Sequence, residues 1–239
     1  MRLIFLASFA VLFLGCSSAS LTSSWNRTKQ ASYNAATDYV TWVPLISATA
    51  LYSTDYDTQM TNYIIDKQPV NNDLDDTFRS FNSYETYLSG LFIKDSSYIT
   101  KGKRVLSEIL AFQSSVIASD TLNNIDKRSP DNIHNYGIGS QHVLGPFAGS
   151  AMTRRNIAQL NIPTWSKYSL NTLSYATATA SALTRVQDGG HSFADQLIGA
   201  SVGNFIGIFM HDIFMLNDNT AVYASLYNNT HYLQFNYRF

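Results

Sequence analysis

Cysteine occurs once in the 239 residues, at position 16. No disulfide, thiolate metal site or cysteine nucleophile is therefore available beyond that point. Charge is scarce as well. Asp, Glu, Lys and Arg make up 14% of the chain and nearly cancel, to a net −1, so there is no electrostatic footprint for nucleic acid. Internal repeats and low-complexity blocks are absent. Aromatic residues are plentiful, at 13% with 15 Tyr and 14 Phe, which favours a packed globular domain over disorder. The length suits one ordinary domain with a sizeable core.

The first residues carry a targeting pattern. Arg2 is followed by an apolar run from Leu3 to Leu14, broken only by Ser8, and then by small residues from Gly15 to Ser20. That is the layout of a secretory signal, and the run is too short for a stable bilayer-spanning helix. Leu14-Gly15-Cys16-Ser17 is similar to a bacterial lipoprotein processing box, with Phe13 where such boxes prefer Leu. The resemblance implies acylation of Cys16 and cleavage just before it. Ordinary cleavage after Ala19, discarding Cys16, is the alternative. The expectation is a bacterial envelope protein, lipid-anchored at the outer membrane on its periplasmic side, or else periplasmic or secreted.

The chain divides into a signal at 1–16, a Ser/Thr/Asn-rich tether at 17–37, a helical domain at 38–214 and a C-terminal extension at 215–239. Asn26-Arg27-Thr28 and Asn228-Asn229-Thr230 fit the glycosylation pattern but are coincidental in a bacterial chain. Apolar spacing predicts a helix from Asp38, kinked or started by Pro44, a short one over Thr58–Asp66 and a partly helical stretch from Phe78 to Ile93. Pro69 to Asp76 reads as a polar, acidic loop. Lys101 to Ala118 reads as an amphipathic helix on Val105, Leu106, Ile109, Leu110, Phe112, Val116 and Ile117. The Pro and Gly signals of 119–150 predict a long irregular, functional loop. Leu170–Arg185 and Ser192–Phe214 read as helices, the second N-capped by Ser192 and central to a bundle. Its apolar core, Leu197 to Met210, reads as too short for a membrane span. Alternation at Leu233, Phe235, Tyr237 and Phe239, with Asn228-Asn229 as the turn, predicts a short β-hairpin. The expected fold class is all-α, a compact helical bundle with that hairpin appended.

The chemistry concentrates in Thr184-Arg185-Val186-Gln187-Asp188-Gly189-Gly190-His191-Ser192-Phe193-Ala194-Asp195, followed by Gly199 and Gly203. Asp195 lies one helical turn after His191, so its carboxylate can hold one imidazole nitrogen protonated and leave the other as a nucleophile. Arg185 precedes a glycine turn that can fold its guanidinium toward the histidine, where a fork of donors suits a tetrahedral oxyanion. The plainer reading has His191 capping a helix, Arg185 pairing with Asp188 or Asp195, and the glycines only packing.

The complete run resembles the third signature of the type 2 phosphatidic acid phosphatase and vanadium haloperoxidase family, Ser-Arg-x5-His-x3-Asp, with Thr184 for Ser. The resemblance implies a compact helical bundle of the acid phosphatase type and hydrolysis through a phosphohistidine without a metal or other cofactor. His191 is then the nucleophile, Asp195 its orienting partner and Arg185 a phosphate ligand. The family's first signature, Lys-x6-Arg-Pro, is reduced to Lys127-Arg128-Ser129-Pro130, where Lys127 or Arg128 would have to substitute as phosphate ligands. The second, Pro-Ser-Gly-His, aligns by spacing with Pro146-Phe147-Ala148-Gly149, so the general-acid histidine is lost. His142 is the candidate replacement, with His134 also in that stretch.

Two functions follow from the resemblance. One is an exported acid phosphatase acting on a phosphate monoester or phospholipid head group, held at the membrane by its lipid anchor. The other is a catalytically degenerate envelope lipoprotein, a pseudoenzyme that keeps the bundle as a binding or structural module. A haloperoxidase, sharing the motif through vanadate, fits the short chain and missing clamps least.

Overall fold

The computed structural model describes residues 18–93, 97–125, 137–216, 220–227 and 230–237. Cys16, Lys127, Arg128 and His134 lie outside them. Among the described residues there are eight α-helices: α1 (Ser18–Thr37), α2 (Tyr39–Tyr52), α3 (Tyr56–Lys67), α4 (Asp75–Leu91), α5 (Tyr98–Ile125), α6 (Gln141–Gln159), α7 (Thr164–Gln187) and α8 (Phe193–Met215). The all-α class is as expected. A 3-10 turn at Asn72–Leu74 leads into α4. Two strands, Thr220–Tyr227 and Thr230–Tyr237, pair antiparallel after α8, with Thr220 opposite Tyr237.

α8 is the central helix. It packs on α6 most extensively and also on α2, α5 and α1. Small residues make this possible. A Cβ at Gly203 would lie 2.5 Å from the carbonyl oxygen of Leu144, and one at Gly207 would lie 2.4 Å from that of Ala148. The contacts advance in the same direction along both chains, so α6 and α8 run parallel and their N-termini share one end of the bundle. Phe193–Met215 is, among the described residues, long and apolar enough to cross a membrane by length and composition. The whole helix is longer than the apolar core Leu197 to Met210 read from the sequence, and more than half of its apolar window is buried inside the bundle.

Several elements differ from the sequence reading. The expected tether is helix α1, and Ala31 and Ala35, one turn apart, are fully buried. Their small side chains let α1 dock closely on α8, and Asn34 and Arg27 reach Asp212 and the Ile213 carbonyl at 2.7 and 3.2 Å. The described residues of the expected loop at 119–150 are mostly helix, because α5 continues to Ile125 and α6 starts at Gln141, while 126–136 lie outside the described residues. Pro146 lies inside α6. Proline there removes the hydrogen bond to the carbonyl of His142, and the Ser181 hydroxyl approaches that oxygen at 2.9 Å instead. Gly149 is buried against α4, where a Cβ would meet Thr86 Oγ1 at 2.9 Å. Pro146 to Gly149, aligned by spacing with the second family signature, is thus core and faces no open site.

The polarity of α5 is also unexpected. Arg104, Ser107, Glu108, Ser115 and Ser119 are buried, while Ile109, Val116 and Ile117 are exposed. α4 does the same, burying Asn82, Thr86 and Ser89 and exposing Tyr84, Leu88 and Leu91. The interior pays for its polar groups with hydrogen bonds. Asn82 Nδ2 donates to Ser150 Oγ at 3.0 Å and to the Ser174 carbonyl at 2.9 Å. Asp38 caps α2 through Val40 N–H at 3.1 Å and also accepts from Asn204 of α8 at 3.1 Å and from Arg154 of α6 at 2.5 Å. Buried polar groups so partnered fix one arrangement of helices, since an orphaned partner costs about 1–3 kcal/mol.

The close approach of α6 and α8 gives a direct check. Gly203→Ala is expected to destabilise the protein by about 1–3 kcal/mol, because the added methyl meets backbone. Gly102→Ala, at an exposed helical position with open space around it, is expected to stabilise by about 0.5–1 kcal/mol. Thermal or denaturant unfolding of the two variants measures both.

Candidate functional site

The turn between α7 and α8 carries the site. α7 ends at Gln187, and the Asp188 and Gly189 N–H groups close on the carbonyls of Thr184 and Val186 at 3.0 Å each. Gly189 takes φ = 71°, a left-handed conformation that favours glycine. This turn joins Arg185, near the end of α7, to His191, just before α8. The segment is held by Gln187, whose side chain bonds both backbone groups of Val70, and by Asn72 Nδ2 on Asp188 Oδ1 at 2.6 Å.

His191 is 3% exposed, and its Nδ1 lies 2.9 Å from the carbonyl oxygen of Gly137. A carbonyl can only accept, so Nδ1 carries the proton and Nε2 is the unprotonated nitrogen. Burial, then the positive charge of Arg185, pushes the imidazole down to about 4, while the Gly137 bond opposes this.

Asp195 has another task. With Ser192 it forms a capping box at the start of α8: Ser192 N–H donates to its Oδ2 at 3.1 Å, and its own N–H donates to Ser192 Oγ at 3.3 Å. Its Oδ1 accepts from the Tyr52 hydroxyl at the end of α2. Burial raises its pKa above the ordinary carboxylate value against those bonds. The expected Asp195–His191 hydrogen bond is therefore replaced by the Gly137 carbonyl on one side and the Tyr52 hydroxyl on the other. A capping carboxylate at the third position of a helix reaches back to the N-cap backbone, and here that local preference decides where the carboxylate points. Asp57 and Thr61 of α3 take the next two N–H groups, from Ala194 and Phe193, at 2.8 and 2.9 Å.

Arg185 pairs with Asp188 at 3.1 Å, as the plainer reading anticipates, yet its Nε is buried with no hydrogen-bond partner in the protein. His142, one residue into α6, has Nδ1 2.6 Å from Asp75 Oδ2. The Arg79 guanidinium lies across the ring, with Nη1 3.2 Å from Nδ1 and 3.0 Å from Nε2. A carboxylate accepts, so Nδ1 of His142 carries the proton that faces Asp75. Ser181 of α7 lies between Asp75 Oδ1, at 2.6 Å, and the His142 carbonyl. Burial works against ionisation of Asp75, but the bonds from His142 and Ser181 outweigh it and hold the carboxyl below its ordinary value.

Of the residues from the sequence reading, Arg185 pairs with Asp188, His191 rests on the Gly137 carbonyl and His142 on Asp75, while Asp195 serves the helix start. Asp75, Arg79, Ser181 and the Gly137 carbonyl were not anticipated. Asp75 and Arg79 are one turn apart at the start of α4; the sequence suggested the end of an acidic loop at Asp75 and a partly helical stretch at Arg79. Lys127 and Arg128 fall outside the described residues. Among the described residues, no cluster of three or more His, Cys, Asp or Glu side chains is placed to hold a metal ion. Comparison with family models, with curated proteins and with solved structures finds no match to the chain.

The depressed pKa of His191 has a consequence for stability. The unfolded imidazole takes a proton below about pH 6.5 and the folded one only near pH 4. The unfolded state then binds more protons across that window, so this contribution is complete above about pH 6.5 and is lost as pH falls toward 4. Relative to His191→Gln, the native protein is expected to lose on the order of 2 kcal/mol between about pH 6.5 and pH 4.5. Melting of both proteins across that range reads the difference, and parallel curves would contradict the assignment.

Proposed function

We propose that the protein is a phosphomonoester hydrolase that works through a phosphohistidine at His191, a divergent relative of the type 2 phosphatidic acid phosphatases. The observation that carries this reading is a buried imidazole with its Nδ1 proton pinned by Gly137 O, six residues after an arginine whose Nε is buried and unpartnered. Nε2 of His191 attacks phosphorus and the ester P–O bond breaks. Arg185, through its unpartnered Nε, and Arg79 neutralise the phosphoryl oxygens. Arg79 rests on His142 with a side chain 42% exposed, and can swing from the ring to the substrate. Its departure opens Nε2 of His142 to a proton, which His142 gives to the leaving oxygen. Water then attacks the phosphohistidine while His142 takes its proton, and inorganic phosphate leaves.

In this reading the bundle is of the acid phosphatase type and the C-terminal hairpin is an appended element. The protein is exported and anchored through Cys16 to a membrane of the bacterial envelope, where phospholipid head groups are candidate substrates. The outward face of α2 supports the membrane part. Tyr39, Trp42, Val43, Leu45 and Ile46 are exposed there, and the helix contains no charged residue. Trp and Tyr on an apolar face suit a lipid–water boundary.

The alternative is a binding module that keeps the bundle without turnover. Its support is the carboxylate of Asp195, engaged by Tyr52 and the Ser192 N–H rather than by His191. Phosphate release from p-nitrophenyl phosphate separates the two. Turnover is expected from about pH 4 upward in the native protein and is expected to vanish in His191→Ala. His142→Gln is expected to lose about 10²–10⁴-fold on phenyl phosphate, whose leaving group needs the proton, and much less on p-nitrophenyl phosphate. Saturable phosphate binding by calorimetry with no turnover would establish the alternative instead.

A further inference from the structure

The far end of α8 from His191 borders a cavity of about 750 Å³. Asn34, Arg104, Arg155, Gln159, His211 and Asp212 line its polar side. Ile93, Met215 and Leu216 give it an apolar side. None of these residues takes part in the phosphoryl chemistry.

Arg104 is the unusual member. It is 1% exposed, and the groups that hydrogen-bond it are uncharged: Asn156 Oδ1 at 2.6 Å, Gln159 Oε1 at 2.9 Å and His211 Nε2 at 3.4 Å. Its Nε is buried without a hydrogen-bond partner in the protein. The neighbouring acid, Glu108, is pushed up to about 7 by burial and only partly offsets that charge at neutral pH. A buried cation without a full counter-charge is costly and marks a place for an anion.

The rest of the cluster sets the charge of that anion. Asp212 is shared by Arg155 at 3.1 Å, Asn34 at 2.7 Å and His211 Nδ1 at 3.0 Å. Because Arg104 donates to Nε2, the proton of His211 sits on Nδ1 toward Asp212, and the ring is neutral. Two guanidinium groups against the Asp212 carboxylate leave the lining net positive, by at most one charge once Glu108 is counted. Arg155 also keeps a buried Nε with no partner.

We propose that this cavity binds a singly charged organic anion, a carboxylate on a short apolar chain, with its head between Arg104 and Arg155. The planar guanidinium forks match a carboxylate, and the chain lies against Ile93, Met215 and Leu216. A phosphate dianion would overcompensate the site beside Asp212.

Calorimetric titration of the whole protein with hexanoate tests this. One saturable site is expected, weakened at least about tenfold in Arg155→Gln and in Arg104→Gln, and at least about tenfold weaker for neutral 1-hexanol. Hexyl phosphate is titrated into His191→Gln, so that the phosphoryl site does not contribute, and is expected to bind more weakly than hexanoate. Arg155 stands at the rim with its side chain 34% exposed, so Arg155→Gln decides the matter should Arg104→Gln fail to fold. Equal binding of hexanol, tighter binding of hexyl phosphate, no saturable binding, or unchanged affinity in Arg155→Gln would each overturn the proposal. Because the readout is binding and not turnover, its failure leaves the reading of His191 untouched.

Discussion

Backbone meets backbone where α6 crosses α8. At Gly203 and Gly207 there is no room for even a methyl group, so the two helices are fixed in register and run the same way. Much of the site depends on this. Gly199 and Gly203 meet Val143 and Leu144, and the residue just before them is His142. The contact therefore carries His142 to the end of the bundle where α7 turns into α8. Around that turn, Arg185 and His191 are placed by the left-handed Gly189 and by Asp188, Gln187 and Asn72. The N-terminus of α8 itself is fully occupied by Asp57, Thr61 and Ser192, so its N–H groups are not available to bind a substrate oxyanion.

The sequence made the helices legible more readily than their faces. The period of α5 was clear from Val105 to Ile117, yet a 3.6-residue period identifies only that a stripe exists. Which stripe turns inward depended on partners far away in the chain: Asn156 and Gln159 for Arg104, and Asn156 for Glu108. The same holds for α4, where Asn82 points inward to Ser150 and the Ser174 carbonyl. In this bundle small and polar side chains do the interior packing, and several aromatic residues face out. The Ser, Thr and Asn of α1 give it the composition of a tether, whereas its docking rests on the narrow contact of Ala31 and Ala35.

The site was half legible for a related reason. Arg185, His191 and the glycine turn are local, so their order at the α7–α8 junction follows from the sequence alone. Asp195 is local too, but two local roles compete for it. A carboxylate at the third position of a helix bonds the N-cap backbone, and Tyr52 completes its coordination. Asp75 and Arg79 became visible only once α4 lay beside α6 and α7. The separation of tasks is physically coherent: one end of α8 holds a neutral imidazole among cations, while the other holds Asp212 among donors.

The account stands on His191 as the atom donor to phosphorus. Mixing the protein with p-nitrophenyl phosphate, quenching in alkali within the first turnovers and weighing the peptide that carries His191 tests this most directly. The account predicts one added phosphoryl group on that peptide in the native protein, increased in His142→Gln if water activation is slowed, and absent in His191→Ala. Phosphate released at the native rate with no phosphorylated histidine at any quench time would contradict it.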